Sequence, residues 1–222
     1  MIVQKIFMIN GQKIHCEIHY KNIKNCYLRV RDGKVVVSAS RFFDEAQIEA
    51  LIQKNQDVIL KQLFHSIERT CYQDHGYVTV FGKKYELIVK DMKIKRCVMH
   101  DHDIYIYDHN IKPLLENFLK KQLLDYIEKR VKYFLQSDFD LPFPDIKIRK
   151  MKSRWGACFY QKNKVTFNFS LIYLVPELID YVIVHELCHF IEPNHSRKFY
   201  NEIEKRLPNY RLLEKKLKET AI

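Results

Sequence analysis

No two cysteines in this chain stand at C-x-x-C spacing, which closes off the small zinc-ribbon and zinc-knuckle folds. The six present, Cys16, Cys26, Cys71, Cys97, Cys158 and Cys188, lie far apart. With no signal segment before them they read as reduced thiols of a cytoplasmic protein, not as a disulfide framework. The opening residues, MIVQKIFMINGQK, lack an apolar core of the length a signal peptide needs, because Lys5 and Gly11 interrupt it. No uninterrupted apolar run approaches ~18 residues, so a membrane span is not expected. Internal repeats and low-complexity linkers are missing too.

What is present is the composition of a folded chain. At 222 residues, 47% hydrophobic and 13% aromatic, it is long enough to bury a real core in one domain, or in a domain with a small lobe. The formal charge of +11 suits an acidic partner such as nucleic acid, or it is solubility charge on a lysine-rich surface. The dispersed lysines, without interleaved aromatics, form no recognisable nucleic-acid groove.

The first third alternates as strands do. Two runs meet at Asn10-Gly11 and two more at Asp32-Gly33, both hairpin signals. Asp44 reads as the N-cap of a helix through EAQIEALIQKNQDVILKQLF, with Ile48, Leu51, Ile52, Ile59 and Leu63 on its apolar side. A third hairpin turns at Gly82, and DIYIY adds a strand. From about Pro113 a long amphipathic helix carries Leu115, Phe118, Leu119, Tyr126 and Ile127 at helical spacing. Two prolines in FDLPFPD end it. IKIRKM and KVTFNFSL then read as strands with SRWGACFYQKN between them, and Pro176 opens a last helix. The expected division is a β-rich lobe over residues 1–107 and a helix–sheet core over 108–222.

The chemistry sits in that last helix. His185-Glu186-Leu187-Cys188-His189 is H-E-x-x-H, and Leu178, Val182, His185 and His189 share one helical face. Histidines four apart project side by side, so both can reach one ion at ~2.0–2.1 Å. Glu186, one residue on, can reach a water there without being a ligand. Pro193 disfavours helical geometry at Glu192 and turns the chain back, so His195 completes H-E-x-x-H-x5-H. Three neutral imidazoles leave a fourth position open, the arrangement of a catalytic site. In a chain of this composition H-E-x-x-H would arise by chance about 0.03 times. Cys188 reads as a small buried residue. MHDHD, with His100 and His102, is a rival cluster that reads better as a polar turn.

Metzincin peptidases share the ligand spacing but place glycine where this chain has Glu192, and they need a methionine downstream of the last one here, Met151. A gluzincin would draw a third ligand from Glu202 or Glu204, which His195 makes unnecessary. The segment from Lys152 to Tyr200 resembles the YgjP-like metal-dependent hydrolases, a zincin group related to the SprT-like metallopeptidases. The resemblance rests on Arg154-Trp155-Gly156, on Asp180-Tyr181-Val182 before the motif, and on Asn194-His195-Ser196 with Phe199 beyond. It is specific over residues 145–212 and weaker toward the N-terminus.

That resemblance implies an α+β fold. A zincin-like catalytic core, a small mixed sheet packed on an active-site helix and a long helix, would follow the β-rich N-terminal lobe. It implies His185, His189 and His195 as zinc ligands and Glu186 as the base. The expected activity is zinc-dependent hydrolysis of peptide bonds, with Arg154 and Tyr210 as candidates to stabilise the oxyanion. KVTFNFS is the expected cleft-side strand, pairing with a peptide or protein substrate. Hydrolysis of a non-peptide substrate and association with nucleic acid through the basic surface are the alternatives.

Overall fold

The computed structural model describes residues 2–9, 11–31, 34–60, 63, 70–92 and 94–220, and it divides into two compact units, Met1–Cys71 and Tyr72–Ile222. Among the described residues no helix is long and apolar enough to cross a membrane. The architecture is the predicted α+β one of small mixed sheets packed on helices.

In the first unit, strands β1 (Ile2–Ile9), β2 (Gln12–Lys21), β3 (Tyr27–Arg31) and β4 (Lys34–Ser40) form one sheet in the order β1-β2-β4-β3. The outer pairs are antiparallel and the central β2–β4 pair is parallel. Gly11 takes φ +78°, the left-handed backbone a tight hairpin requires. Asn10 and the predicted Asp32-Gly33 turn lie outside the described residues, although the strands flanking the second turn do pair. Helix α1 (Glu45–Lys54) starts with a capping box. Asp44 Oδ1 accepts from the Gln47 amide at 2.7 Å, and Gln47 Oε1 accepts from the Asp44 amide at 3.1 Å. The predicted helix is interrupted at Asn55, whose Nδ2 donates to the Leu51 carbonyl at 2.7 Å, before residues 56–60 resume it. Residues 61, 62 and 64 of that prediction lie outside the described residues. Ile48, Ile52, Ile59 and Leu63 are buried with Ile9, Ile18, Val35 and Val37 in a core of their own.

The second unit opens with β5 (Tyr77–Val80), β6 (Lys83–Val89), β7 (Cys97–His100) and β8 (Asp103–Ile106), in the order β5-β6-β8-β7. Its wiring repeats that of the first sheet: antiparallel outer pairs, a parallel central pair, and a helix to follow. The sequence does not advertise this repeat. Helix α2 (Ile111–Ser137) buries Leu115, Leu119, Leu123, Ile127, Val131 and Phe134 along one stripe. A second sheet, of β9 (Asp145–Arg149), β10 (Gly156–Phe159) and β11 (Lys164–Asn168), has the order β10-β11-β9. Helices α3 (Pro176–Cys188), α4 (Arg197–Arg206) and α5 (Tyr210–Glu219) complete it.

Residues 72–106 therefore belong with the helical core, and the division falls at 71/72 where the sequence suggested 107/108. The reason is packing. Val78, Val80, Leu87, Ile104 and Ile106 are buried in one cluster with α2 and α3. At the β5–β6 turn, the Phe81 amide donates to the Ile172 carbonyl at 2.7 Å. Gly82, at φ +77°, comes so close to Val175 that a Cβ would lie 2.5 Å from Val175 Cγ1. Val175 is the N-cap of α3, so this turn abuts the start of the motif-bearing helix.

Candidate metal centre

Helix α3 is apolar on nearly every side, which fixes it deep in the core. Pro176 starts it at the first helical position, as expected. It ends at Cys188, with His189 as C-cap. The amides of Phe190, Ile191 and Glu192 then bond back to Leu187 and Cys188, and Pro193 redirects the chain. The Ser196 hydroxyl caps α4 by accepting from the Phe199 amide at 3.4 Å. His195 is held between that turn and that cap.

The result is a cluster of three imidazoles. Each of His185, His189 and His195 offers a ring nitrogen, and these atoms lie within 4.8 Å of one another. His185 Nε2 and His195 Nε2 are 3.1 Å apart. Nitrogens bound tetrahedrally at zinc distances would be ~3.3 Å apart, so this pair already has a ligand-pair spacing. All three rings pack on buried Phe199, at centroid distances of 4.9, 4.5 and 4.8 Å. Burial, then the neighbouring His189 and His195, pulls His185 down to about 3. Burial and His195 lower His189 as well. Both shifts favour the neutral ring, the form that donates a lone pair. His189 Nδ1 is buried without a hydrogen-bond partner of good geometry, while the backbone at Glu192 and Pro193 lies close enough to favour a proton on the ring. The donor set fits a divalent transition metal with imidazole preference.

Glu186 is only 5% exposed. Burial pushes its carboxyl up to about 8, against the Cys158 backbone amide and the Arg154 cation, which favour the carboxylate. The side chain fits because residue 156 has none: a Cβ on Gly156 would lie 2.4 Å from Glu186 Oε1. Beside these groups lies a cavity of about 520 Å³. Its walls are β10 with Trp155, the Tyr181–Glu186 side of α3, and Leu217 of α5.

Arg154, one of the two candidates for the oxyanion, lines this cavity. Tyr210 does not: it is buried with its ring stacked on Tyr200 at 6.0 Å. Tyr181 occupies the wall instead, edge-on to His185 at 6.0 Å. The cleft-side strand also differs from expectation. β11, the predicted one, is the central strand, buried by neighbours on both sides, and β10 is the edge strand lining the cavity. Glu202 is engaged by Arg206 at 2.7 Å and by Lys205, and Glu204 is exposed, so neither joins the cluster. In MHDHD, His100 pairs with Asp101 at 3.1 Å on an exposed turn. The three histidines are the one metal-capable group of this kind among the described residues.

Sequence reasoning missed Asn168. Fully buried at the end of β11, it donates through Nδ2 to the carbonyls of Met151 and Arg154, both at 2.9 Å. Its Oδ1 accepts from the amides of Met151 at 3.3 Å and Ser170 at 3.1 Å. It ties down the loop that delivers Arg154 and Gly156.

The model of a family described as YgjP-like, metallopeptidase domain, matches residues 24–220. No curated protein matches. Two solved structures resemble part of the chain. One is the metallopeptidase zymogen of Pyrococcus abyssi abylysin, at 21% identity and TM-score 0.39, over 41% of this chain and 90% of that one. The other is the metallopeptidase zymogen of Methanocaldococcus jannaschii jannalysin, at 27% identity and TM-score 0.37, over 41% and 92%.

Proposed function

The chain belongs to the YgjP-like metallopeptidase-domain family, and on that premise we propose that it is a zinc-dependent peptidase whose ion is held by His185, His189 and His195 and whose general base is Glu186. The observation that carries this reading is the convergence of three imidazoles beside a buried carboxylate at the wall of one cavity. When bound, zinc supplies a Lewis acid that brings the pKa of water toward neutrality and polarises a carbonyl.

The remaining work falls to the chain. Glu186 takes the proton of the attacking water and returns it to the leaving amine. Its apolar surroundings favour the protonated carboxyl, so the proton is held between the two steps rather than lost to solvent. Arg154 supplies positive charge where the oxyanion develops. Tyr210 is left with a packing role. Edge strand β10 supports a peptide as substrate, because apart from the Cys158 amide, which Glu186 takes, its outer side is unpaired by any strand and can take an extended chain. The six free cysteines support a reducing, cytoplasmic setting.

Elemental analysis of the wild type beside Glu186→Gln and His195→Ala tests this. One zinc per chain is expected in wild type, retained in Glu186→Gln and weakened in His195→Ala, with peptide hydrolysis lost in both variants. No metal after reconstitution, or loss of metal in Glu186→Gln, would overturn the assignment.

A further inference from the structure

From Ile146 to Pro176 the chain has seven basic residues, Lys147, Arg149, Lys150, Lys152, Arg154, Lys162 and Lys164, and no aspartate or glutamate. At the chain-wide frequency of 27 acids in 222 residues, about four would be expected. This stretch is the β10-β11-β9 sheet with its loops apart from Asp145, the first residue of β9, and its edge strand β10 forms one wall of the cavity.

Two of the cations are neutralised within the protein, Lys147 by Asp145 at 3.5 Å and Lys150 by Glu116 at 2.7 Å. The other five have no acidic partner in an ion pair among the described residues. Four of them bracket β10. Lys152 and Arg154 precede it, and Arg154 lines the cavity. Lys162 closes the turn that follows it, and Lys164 begins the next strand with its Nζ 6.0 Å from the Phe159 ring centre. Phe159 and Tyr160, 48% and 46% exposed, stand between the two cation pairs. On the opposite wall Glu214 is offset by Lys218 at 2.9 Å.

A polypeptide laid along the free edge of β10 would cover its four residues in ~13 Å. Its flanks would come toward the Lys152–Arg154 segment at one end and the Lys162 turn at the other, with Lys164 one strand further back on β11 beside Asp145. Between the two ends, Trp155, Tyr181, Val182 and Leu217 give the cavity an apolar lining. We propose that this site selects acidic polypeptide segments, seating an apolar residue in the cavity with aspartate or glutamate on both sides. The proposal rests on the peptidase reading and names its substrate class. A polypeptide fits better than nucleic acid because the cations bracket a hydrogen-bonding strand edge instead of forming a continuous stripe for phosphates.

Exposed charge pairs are individually weak, roughly 1.5- to 5-fold each, so with Arg154 committed to the oxyanion the lysines at the two ends should together favour an acidic segment by about tenfold. The test uses zinc-loaded Glu186→Gln and labelled peptides that share an apolar centre but carry glutamate, glutamine or lysine flanks. A single-stranded DNA of matching length is the further probe, and binding is read by fluorescence anisotropy. The glutamate peptide should bind about tenfold tighter than the glutamine one. That advantage should shrink between about 0.1 M and about 1 M salt, as the Debye length falls from ~10 to ~3 Å. Adding Lys152→Glu with Lys162→Glu should abolish it. Lys152→Gln with Lys162→Gln makes the same point should charge reversal disturb folding. Equal binding of the two peptides, a preference indifferent to these substitutions, or tighter binding of DNA would overturn the proposal. Hydrolysis by the wild type is scored separately. Preferential binding without any hydrolysis counts against the peptidase reading alone, and equal hydrolysis of the two peptides counts against acidic selectivity alone.

Discussion

Placing one methyl group at residue 156 tests whether catalysis depends on where Glu186 is held. In Gly156→Ala the new Cβ would meet Oε1 at 2.4 Å and both Cδ and Cγ at 2.6 Å. Carbon atoms in ordinary contact sit ~3.5–4.0 Å apart, so the carboxylate must retreat by ~1 Å. The backbone at Gly156 is not left-handed, so alanine brings no conformational strain of its own. Glu186 has little room to yield, being buried and held by the Cys158 amide. Crowding of this kind costs about 1–3 kcal/mol of stability. A base displaced by ~1 Å costs about 10²-fold in rate. The three nearest atoms to the new Cβ all belong to Glu186 and none to a histidine of the cluster, so the metal should stay. The expected result is kcat lower by about 10²-fold, zinc stoichiometry unchanged and a modest drop in urea stability. A kcat within a few-fold of wild type, or a protein that loses its zinc, would refute the reasoning.

Metal-free protein should show opposing pH effects from two neighbours. His185 titrates at about 3 when folded against 6.5 in its ordinary state, so stability falls by about 1.4 kcal/mol per unit as pH drops below 6.5. Glu186 titrates at about 8 against 4.5, so stability falls at a similar rate as pH rises above 4.5. The two slopes oppose each other between about 4.5 and 6.5, where the lowered His189 leaves a residual fall toward acid, so urea titrations should show a weaker pH dependence there than below 4.5. Glu186→Gln should remove the alkaline fall, and an unchanged profile would contradict the burial argument. Asn168→Ala, which strands buried amides and carbonyls of the Arg154 loop, should cost about 2–4 kcal/mol. Asn168→Asp, equal in size but without the donors, should be at least as damaging by thermal denaturation. Wild-type stability in Asn168→Asp would rule out the proposed role. Asp180 receives two bonds from Arg130, at 2.9 and 2.8 Å, and one from Tyr126 at 3.2 Å, joining α2 to α3. Asp180→Ala should cost about 2 kcal/mol, and a change below 0.5 kcal/mol in urea would show that this junction adds little.

The parts of the site legible in the sequence are those set by local geometry. Helical spacing put His185 and His189 together, and Pro193 explained how His195 returns. Cys188, between the ligands, is buried as expected. What depends on distant pairing was not legible. β10 and β11 both look like short strands, and only the parallel pairing of β11 with β9 makes β11 central. Residues 72–106 alternate just as residues 2–40 do, so their allegiance to the helical core could not be read from pattern. Tyr210 was the tyrosine named for the oxyanion, yet it stacks on Tyr200, and Tyr181, read only as part of the stretch before the motif, faces the cavity. Asn168 could have been read only as a local cap on the Ser170 amide, since its other partners are backbone atoms of Met151 and Arg154, 17 and 14 residues away.

The shared wiring of the two four-stranded sheets also sets how they can assemble in time. Each consists of two hairpins, and hairpins close locally within microseconds. The parallel pairs that join them, such as Cys16 with Val35 and Glu86 with Asp103, bring together residues 19 and 17 positions apart. Those joins must wait for the intervening chain to fold back, which makes them the slower events. In the second unit the turn that abuts the N-cap of α3 belongs to the first hairpin, β5–β6. A platform for one end of the catalytic helix can therefore form early, before residue 176 has been built into anything.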